Sequence, residues 1–266
     1  MKSADTKREQ IATMAHSHPD SSRNVTLSII IPVLNEAATI GVGLRRLSLL
    51  RYRGTQIIVV DGGSDDDTVA LAAPFCDAVV HAPRGRAAQM NAGARRAGGD
   101  ILLFLHADTT LPAFADTVIR DALLDAPSRT WGRFDVRIDG TGPLLGLVAH
   151  MMSIRSRLTG IATGDQAIFC TRESFAQEGG FPTLPIMEDI SFSKRLRRRS
   201  RPICLRARVT TSGRRWEAHG VIRTILLMWW LRLAYALGVP AETLARWYRY
   251  DPGQSPSKRC RDFQEQ

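Results

Sequence analysis

Hydrophobic residues in the first half of the chain form four short, unbroken runs, and each run ends at polar or turn-forming residues. The runs are residues 27–32 (LSIIIP), 56–61 (QIIVVD), 77–82 (DAVVHA) and 100–108 (DILLFLHAD). Runs that are apolar throughout, instead of alternating with polar residues, are typical of parallel strands covered on both faces of their sheet. The pattern therefore predicts four buried strands.

Segments with helical patterning lie between these runs, and one more follows the fourth run. They cover residues 36–50, 66–74, 86–97 and 112–126. Regular alternation of strand and helix is typical of α/β proteins. We therefore predict a doubly wound, mostly parallel, Rossmann-like sheet flanked by helices.

The pattern changes beyond residue 128. Polar and apolar residues alternate at residues 131–139, which predicts a strand with one wet face, and a second strand is predicted at 166–170. Helices are predicted at 143–158 and 187–199. Because no flexible linker separates the two halves, we expect the second half to extend the same sheet.

The expected domain is a single one that covers residues 25–250 and includes an apolar helix at about 217–238. Residues 1–24 carry mixed charge with Ser and His, and residues 251–266 are punctuated by Pro, Gly and Ser. Segments of this composition bury too little apolar surface to fold. Both tails are therefore expected to be disordered.

The chain has a formal charge of +10, from 36 Lys and Arg against 26 Asp and Glu. This balance favours acidic partners such as nucleic acid, anionic lipid headgroups or phosphorylated small molecules, without choosing among them. The four cysteines form no CxxC pair, so the sequence indicates neither a zinc site nor a disulfide framework. A reducing, cytoplasmic location fits best.

The most apolar late stretch, residues 221–238, is too short to cross a bilayer. Arg223 and Arg232 leave eight uncharged residues between them, whereas a spanning helix needs about 20. These two arginines fall on opposite sides of a helix, so a single polar face is absent. Six cations at residues 193–201 leave two alternatives open: a solvated surface, or peripheral contact with an anionic membrane at the inner face of the cell.

Polar side chains follow the predicted strands, where ligands of open parallel sheets bind. Asp61 precedes two glycines and suits either a hydrogen bond to a ribose or base, or the capping of its own turn. Arg84 and Arg86 flank a glycine just before a helix. Guanidinium groups beside free helix N–H groups suit a diphosphate, and a solvated basic loop is the alternative.

Two further acidic positions carry candidate chemistry. Asp108 leaves a buried strand, and a carboxylate there suits a divalent cation that bridges two phosphates. His106 points to the same side if the strand persists, and we expect a neutral, hydrogen-bonded histidine more than a metal ligand. Glu188 and Asp189 begin a helix, where an acid either caps the helix or acts as a general base.

Six motifs, taken in order, resemble a family 2 glycosyltransferase with a GT-A fold over about residues 27–205. They are SIIIPVLNE, IIVVDGGSDD, GRAAQMNAGA, DILLFLHAD, GGFP and MEDISFSKRL. With WGRFDVR, TGIATGDQAIF and TTSGRRWE added, the chain resembles a bacterial subgroup called radical-SAM/selenodomain-associated transferase 2, also labelled arsenosugar-biosynthesis glycosyltransferase.

The resemblance implies a nucleotide-diphospho-sugar donor and a divalent cation, Mn²⁺ or Mg²⁺. By motif position, Pro32 and Glu36 border the nucleotide, and Asp61 contacts its base or ribose. Asp108 occupies the second carboxylate position of the family's D-x-D signature, which meets the metal. The first position is His106 here, a departure from the two-carboxylate pattern.

The resemblance also implies a single inverting displacement onto a hydroxyl acceptor, either a small molecule or lipid-like, with Asp189 as the catalytic base. The remaining positions expected to bind the nucleotide, its phosphates or the sugar are Arg84, Arg86, Asp165, Gln166, Glu188, Arg214 and Arg215.

Two other functions remain as alternatives. A nucleotidyltransferase or sugar-phosphate pyrophosphorylase generally needs a Gly-rich loop with a basic residue after the first strand, and PVLNEAATI offers neither. A basic nucleic-acid-binding protein is suggested by the pI of about 10.2. The chain lacks a recognisable binding module or aromatic-interleaved basic strands, so we expect no nucleic-acid partner.

Overall fold

Eight strands form one mixed sheet in the computed structural model, which describes residues 25–142 and 144–248. The strands are β1 (Leu27–Val33), β2 (Gln56–Asp61), β3 (Ala78–His81), β4 (Ile101–Phe104), β5 (Thr109–Thr110), β6 (Trp131–Asp139), β7 (Phe169–Thr171) and β8 (Ile203–Ser212). Their order across the sheet is β3-β2-β1-β4-β7-β6-β8-β5. The tails predicted to be disordered, residues 1–24 and 251–266, lie outside the described residues.

The strands of the first half pair in parallel, β3 with β2, β2 with β1, and β1 with β4. Strand β7 runs antiparallel to both β4 and β6, β6 and β8 are parallel, and the short β5 is antiparallel to β8. The predicted α/β architecture with a mostly parallel sheet is confirmed. Strands from the second half of the chain join the same sheet.

Helices pack on the two faces of the sheet. They are α1 (Ile40–Arg45), α2 (Ser48–Tyr52), α3 (Thr68–Ala72), α4 (Arg86–Arg96), α5 (Ala115–Leu124), α6 (Leu145–Thr159), α7 (Arg172–Gln177), α8 (Glu188–Arg199), α9 (Arg214–His219), α10 (Val221–Ala236) and α11 (Ala241–Trp247). Short 3₁₀ turns occur at Ala73–Phe75 and Gly164–Gln166. Among the described helices, none is long and apolar enough to cross a bilayer.

Both faces of β1 are buried, which explains its continuously apolar sequence. Ile29 and Ile31 join the core under α1, α2, α5 and α6, whereas Ile30 joins the core under α4 and α8. Helix α4 lies directly on the sheet at Gly93, where a Cβ would stand 2.4 Å from Ile30 and 2.8 Å from Val60. A glycine is therefore needed at this crossing.

Strand β4 is shorter than the predicted run at residues 100–108. The strand ends at Phe104, and the N–H of Thr109 donates to the carbonyl of His106 in a turn (3.0 Å). The prediction that His106 and Asp108 lie on one strand is therefore wrong, because the chain turns between them. Strand β8 was not predicted. Its more buried and more exposed positions largely alternate, and its two arginines lie at the exposed positions.

Two predicted helices are each divided. The helix predicted at residues 36–50 consists of α1 and α2, joined by a tight turn in which the Leu47 N–H donates to the Leu44 carbonyl. The helix predicted at about 217–238 consists of α9 and α10. Gly220, with a φ of +80°, separates them in a conformation that favours glycine.

Candidate active site

A buried amide fixes the carboxyl ends of β1 and β2. The side chain of Gln89, on α4, donates to the carbonyls of Val33 (2.7 Å) and Val60 (2.8 Å). Val33 is paired with Asp61 across the two strands. The helix thus ties together the two strand ends that begin the site, and Gln89 was not singled out from the sequence.

Asp61 is buried and its carboxylate organises the loop that follows. Its oxygens accept hydrogen bonds from the N–H of Gly63 (3.0 Å) and from the hydroxyl of Ser64 (2.6 Å). The exposed ring of His81 lies 3.3 Å from the same carboxylate. The structure therefore displays the turn-capping role that the sequence left open for Asp61, at the edge where a nucleotide is expected.

Asp108 and Arg214 both lie within electrostatic reach of Glu36. Burial raises the pKa of Glu36, the Thr39 hydroxyl that bonds it (2.8 Å) opposes this rise, Asp108 adds to it, and Arg214 opposes it. Asp108 is exposed, whereas Pro32 is buried within β1. Pro32, Glu36, Asp108 and Arg214 therefore lie together on one side of the edge formed by the carboxyl ends of the strands.

The basic loop before α4 spans two parts of the site. Arg84 donates to the Gly63 carbonyl (3.2 Å), beside the Asp61 loop. Arg86 lies 3.8 Å from the carboxylate of Glu188, at the start of α8. Burial raises the pKa of Glu188, and the charge of Arg86 opposes that rise. The loop therefore connects the Asp61 side to the Glu188 side.

Asp189 is held by the turn that precedes β7. The N–H of Gly164 donates to its Oδ2 (2.7 Å). Next to it, the Nδ1 atom of His106 lies 3.4 Å from the carboxylate of Asp165. A small cavity here is lined by His106, Gly164, Asp189 and the apolar side chains of Met90, Phe104, Ile168 and Phe181.

His106 packs inside this turn and does not face the exposed Asp108. Burial lowers the pKa of His106, but the hydrogen bond to Asp165 and the charges of Asp165 and Asp108 together outweigh burial, so the net pKa is raised. The expectation of an interior, hydrogen-bonded histidine agrees with this placement. The expectation of a neutral ring stays a prediction, and the Asp165 carboxylate beside the ring favours the protonated form.

Gln166 is buried away from the open site, whereas Arg214 is exposed. Gln166 is fully buried and closes a capping box with Thr163, so it does not reach the open site. Arg214 is exposed and its Nε atom donates to the hydroxyl of Ser212 (3.1 Å). The side chain of Arg215 lies outside the described part of the chain.

Two arginines near Asp189 were missed. Arg155 on α6 and Arg232 on α10 are both half-buried, and the charge of Asp189 acts on both. Arg155 shares the stretch MMSIRSRL with Arg157, whereas Arg232 is a single charge within the apolar stretch WWLRLAY. That pattern was a usable signal, since an isolated charge on an apolar helix face needs a partner.

Asn91 was also missed, and it links α4 to the segment before α8. Its amide donates to the Phe181 carbonyl (2.8 Å) and accepts from the Phe181 N–H (2.9 Å). Gly180 makes this contact possible, because a Cβ there would stand 2.6 Å from the Asn91 amide oxygen. The segment that leads to Glu188 and Asp189 is thereby fixed to α4.

The residues fit a divalent cation that is shared with a substrate. Within residues 25–142 and 144–248, no group of three or more His, Cys, Asp or Glu side chains could hold a metal ion alone. Mg²⁺ commonly binds through one or two carboxylates plus substrate phosphates and water. Asp108, exposed and near Glu36, meets that requirement.

Comparison with known proteins agrees with this architecture. PGL/p-HBAD biosynthesis glycosyltransferases of Mycobacterium bovis and Mycobacterium tuberculosis are 37% identical to the chain over 102 residues, which is 36% of this chain and 40% of theirs. The chain thus spans about two fifths of the length of these curated relatives.

Solved structures share the fold at low identity. A TarS fragment from S. aureus has a TM-score of 0.58 at 16% identity, over 71% of this chain and 60% of that one. Mannosyltransferase PcManGT from Pyrobaculum calidifontis, in complex with GDP-Man and Mn²⁺, has a TM-score of 0.54 at 24% identity, over 69% of this chain and 56% of that one. Glucosyl-3-phosphoglycerate synthase from Mycobacterium tuberculosis, with Mn²⁺ and UDP, has 0.52 at 21%, over 70% of each chain.

The family model described as Glycosyl transferase family 2 matches residues 28–144, which contain Asp61, Arg84, Arg86 and Asp108. The matched segment covers β1 to β6, and the remaining strands complete a GT-A-like sheet. Residues 28–144 of this chain are therefore similar to glycosyl transferase family 2, and the sheet that they help to form has a GT-A-like fold.

Proposed function

We propose that the protein transfers a sugar from a nucleotide-diphospho-sugar to a hydroxyl group of an acceptor. The observation that carries the proposal is the placement of two separate acidic centres at one edge of the sheet. Asp61 and Asp108 belong to the segment matched by the family model, where we place the nucleotide. Asp189 lies outside that segment and accepts a hydrogen bond from Gly164. Related folds with UDP-GlcNAc, GDP-Man or UDP support a donor of this class.

The donor would lie across the carboxyl ends of β1, β2 and β4. Pro32, Glu36 and Asp61 border the proposed nucleotide position. Asp61 orders the loop at residues 62–64, whose backbone can approach a base or ribose because Gly62 and Gly63 carry no side chains. The diphosphate would then lie between the Asp61 loop and α4.

Cations surround the proposed diphosphate position. The guanidinium groups of Arg84 and Arg86 flank it at the start of α4, and Arg214 lies near Glu36 on the opposite border. Arginine forks and free helix N–H groups bind phosphate oxygens well. By its place in the sequence, Arg215 is a further candidate for the same role.

Asp108 would hold the cation, Mn²⁺ or Mg²⁺, together with the donor diphosphate. When bound, such a cation offsets the negative charge that develops on a departing nucleoside diphosphate. His106 is not assigned to the metal, because its Nδ1 atom faces Asp165 and its ring packs on Gly164.

Asp189 would act as the base of an inverting displacement. Its carboxylate accepts the proton of the acceptor hydroxyl while that oxygen forms a bond to the anomeric carbon. The bond from the anomeric carbon to the diphosphate oxygen breaks, and the nucleoside diphosphate leaves with the electron pair. Asp165 is exposed enough to meet a sugar hydroxyl, and Gln166 would shape the turn that carries it.

The acceptor class is suggested by an apolar stripe on α10. Ile222, Leu226, Trp229, Trp230 and Leu233 recur at helical spacing and are each more than half exposed. Arg223 is exposed, whereas Arg232 is half-buried, so the helix still lacks a continuous cationic face. Such a stripe suits peripheral contact with a cytoplasmic membrane surface and a lipid-like acceptor.

The membrane proposal has its own test. The full chain is floated with phosphatidylglycerol vesicles and with phosphatidylcholine vesicles at low salt. Flotation with the anionic vesicles, reduced by Trp229→Ser and Trp230→Ser together, supports it. A protein that stays in the soluble fraction with both vesicle types removes it. The arsenosugar subgroup is likewise a proposal, supported by WGRFDVR, TGIATGDQAIF and TTSGRRWE.

Thermal shift with UDP-, GDP- and dTDP-sugars in the presence of Mn²⁺ tests the donor proposal. A ligand that binds the folded state raises Tm by mass action. We expect one nucleotide class to raise Tm in the natural protein and to have little effect on the Asp61→Ala variant. Equal shifts for that variant and the natural protein would place the nucleotide elsewhere.

A further inference from the structure

Two arginines flank the Asp189 side of the site, outside the region matched by the family. Arg232 lies on α10, where its neighbours Leu231 and Ala234 pack with Met187 and Ile190 beside Asp189. Arg155 lies one turn before the end of α6, and the chain then leads to the Gly164 turn that binds Asp189. The two cations therefore reach the base from two different helices.

The guanidinium group of Arg155 has buried N–H groups without acceptors. Its Nε and Nη2 atoms are inaccessible to solvent and have no hydrogen-bond partner among the described residues. A buried charged donor that lacks an acceptor is costly, so such groups are rare unless something binds them. Within the described residues, these two N–H groups of Arg155 are therefore left unpaired.

Neighbouring arginines do have carboxylate partners. Arg133 and Arg157 both pair with Asp135, and the Arg157 Nη2 atom lies 2.6 Å from its Oδ2. Arg155, on the same helix as Arg157, is left out of this group. Arg155 therefore lacks the carboxylate contact that Arg133 and Arg157 share, and the carboxylate whose charge acts on it is Asp189.

The electrostatic surroundings keep both groups cationic. Burial and, after it, the charge of Arg232 lower the pKa of Arg155 to about 10, although the charge of Asp189 opposes the decrease. Burial also lowers the pKa of Arg232, against the carboxylates of Asp189 and Asp165. Both arginines thus remain charged at neutral pH, next to the group proposed to take the acceptor proton.

We infer that the acceptor carries an anionic group, a phosphate or a carboxylate, and that Arg155 and Arg232 bind it beside Asp189. The inference rests on the proposed function, because it assumes that the hydroxyl acceptor meets Asp189. A guanidinium fork donates two parallel hydrogen bonds to either anion. Bound there, the anion supplies the acceptors that Arg155 lacks and leaves the hydroxyl of the same molecule free to reach the carboxylate.

The test measures anion binding with the donor site already filled. The full chain is saturated with the nucleoside diphosphate that raises its Tm and with Mn²⁺, and inorganic phosphate or glycerol 3-phosphate is then titrated by calorimetry. Arg155→Met and Arg232→Met are each expected to weaken phosphate binding about tenfold or more. Arg223→Met, an exposed arginine on the same helix as Arg232, is the matched control and should bind like the natural protein.

A second variant guards against a folding defect. Arg155→Lys keeps the charge and removes the fork, and we expect an unchanged Tm with intermediate phosphate affinity. Absence of phosphate binding in the natural protein, or equal binding by the Met variants, overturns the inference. A loss of nucleoside diphosphate affinity in the Met variants also overturns it, because the arginines would then serve the donor.

The same variants distinguish the source of the anion. Glycerol 3-phosphate binding that depends on Arg155 assigns a free small molecule. Retention on phosphatidylglycerol but not phosphatidylcholine vesicles, lost in Arg155→Met and kept in Arg223→Met, assigns a lipid headgroup. If no nucleotide binds the natural protein, the proposed function fails, and phosphate titration without nucleotide still reports on the two arginines separately.

Discussion

The backbone N–H of Gly164 donates a hydrogen bond of 2.7 Å to Oδ2 of Asp189. This bond crosses from the turn before β7 to the first turn of α8 and orients the carboxylate. Gly164 is also where His106 packs, since a Cβ at residue 164 would stand 2.3 Å from two atoms of the imidazole ring. The position of the proposed base thus depends on a residue without a side chain.

Asp189→Asn is predicted to abolish transfer and to leave nucleotide binding intact. The amide cannot take the acceptor proton, and general-base catalysis contributes about 10²–10⁴-fold in rate. Steady-state assays with the best donor give kcat, and thermal shift gives nucleotide affinity. Asp121→Asn, an exposed acid on α5, is the control. Normal turnover by the Asp189 variant would rule out its assignment as the base.

Gly164→Ala is predicted to lower kcat more than it lowers stability. The added methyl group must displace the His106 ring or the turn, and either movement changes the hydrogen bond to Asp189. Gly146→Ala, on α6, is the matched control because a Cβ there meets open space. Unchanged kcat for Gly164→Ala would show that this bond does not position the base.

Asp108→Asn is predicted to weaken nucleotide binding only when a divalent cation is present. The variant loses a charged oxygen ligand, so the Tm rise caused by nucleotide plus Mn²⁺ should shrink toward the smaller rise seen with nucleotide and EDTA. Chelation should affect the natural protein in the same direction. A variant with full Mn²⁺-dependent stabilisation would exclude Asp108 as the ligand.

Asn91→Ala is predicted to destabilise the fold and to loosen the segment before Asp189. Two hydrogen bonds to the Phe181 backbone are lost, which costs about 1–3 kcal/mol because buried backbone groups remain unpaired. Urea unfolding measures the loss, and hydrogen exchange should increase at residues 180–187. An unfolding free energy equal to that of the natural protein would contradict the structural role.

Asp116→Asn is predicted to flatten the acid dependence of stability. Asp116 is fully buried, and burial alone raises its pKa. The bonds from Arg53 (2.9 Å from its Nε atom), the Thr117 N–H and the charges of Arg53 and Arg120 together outweigh burial, so the net pKa is lowered. A carboxylate with a lowered pKa contributes stability above its unfolded pKa of about 3.9, and this contribution disappears as pH falls through the folded value.

Urea unfolding from pH 7 to pH 2 measures this effect. The natural protein should lose stability below about pH 4, and Asp116→Asn should be less stable at pH 7 and lose less on acidification. Asp121→Asn, on the same helix, should follow the natural protein. Identical acid profiles for the natural protein and Asp116→Asn would exclude the ion pair as a source of stability.

The local sequence pattern was sufficient to predict β1 and β2, the strands beside the proposed nucleotide position. β1 and β2 are buried on both faces, so their sequences are apolar throughout, and Asp61 is conspicuous at the end of such a run. Asp108 and Asp189 were found from their places at a strand end and a helix start and from the motifs around them. These features depend on residues close together in the chain.

The rest of the site depends on contacts between distant segments. Pattern alone extended β4 to Asp108, whereas the chain turns after Phe104 and sends His106 toward Asp165. The proximity of Arg155 and Arg232 to Asp189 arises from the packing of α6 and α10 around the start of α8. The spacing of residues within a single helix does not predict this proximity.

The most direct test of sugar transfer is the release of nucleoside diphosphate from UDP-, GDP- and dTDP-sugars in Mn²⁺, by the natural protein and by Asp189→Asn. We predict that one donor raises the Tm of both proteins and that only the natural protein releases nucleoside diphosphate, faster when a hydroxyl acceptor is added. Sugar transfer from these donors would be contradicted if none of them raised the Tm, or if Asp189→Asn released nucleoside diphosphate as fast as the natural protein.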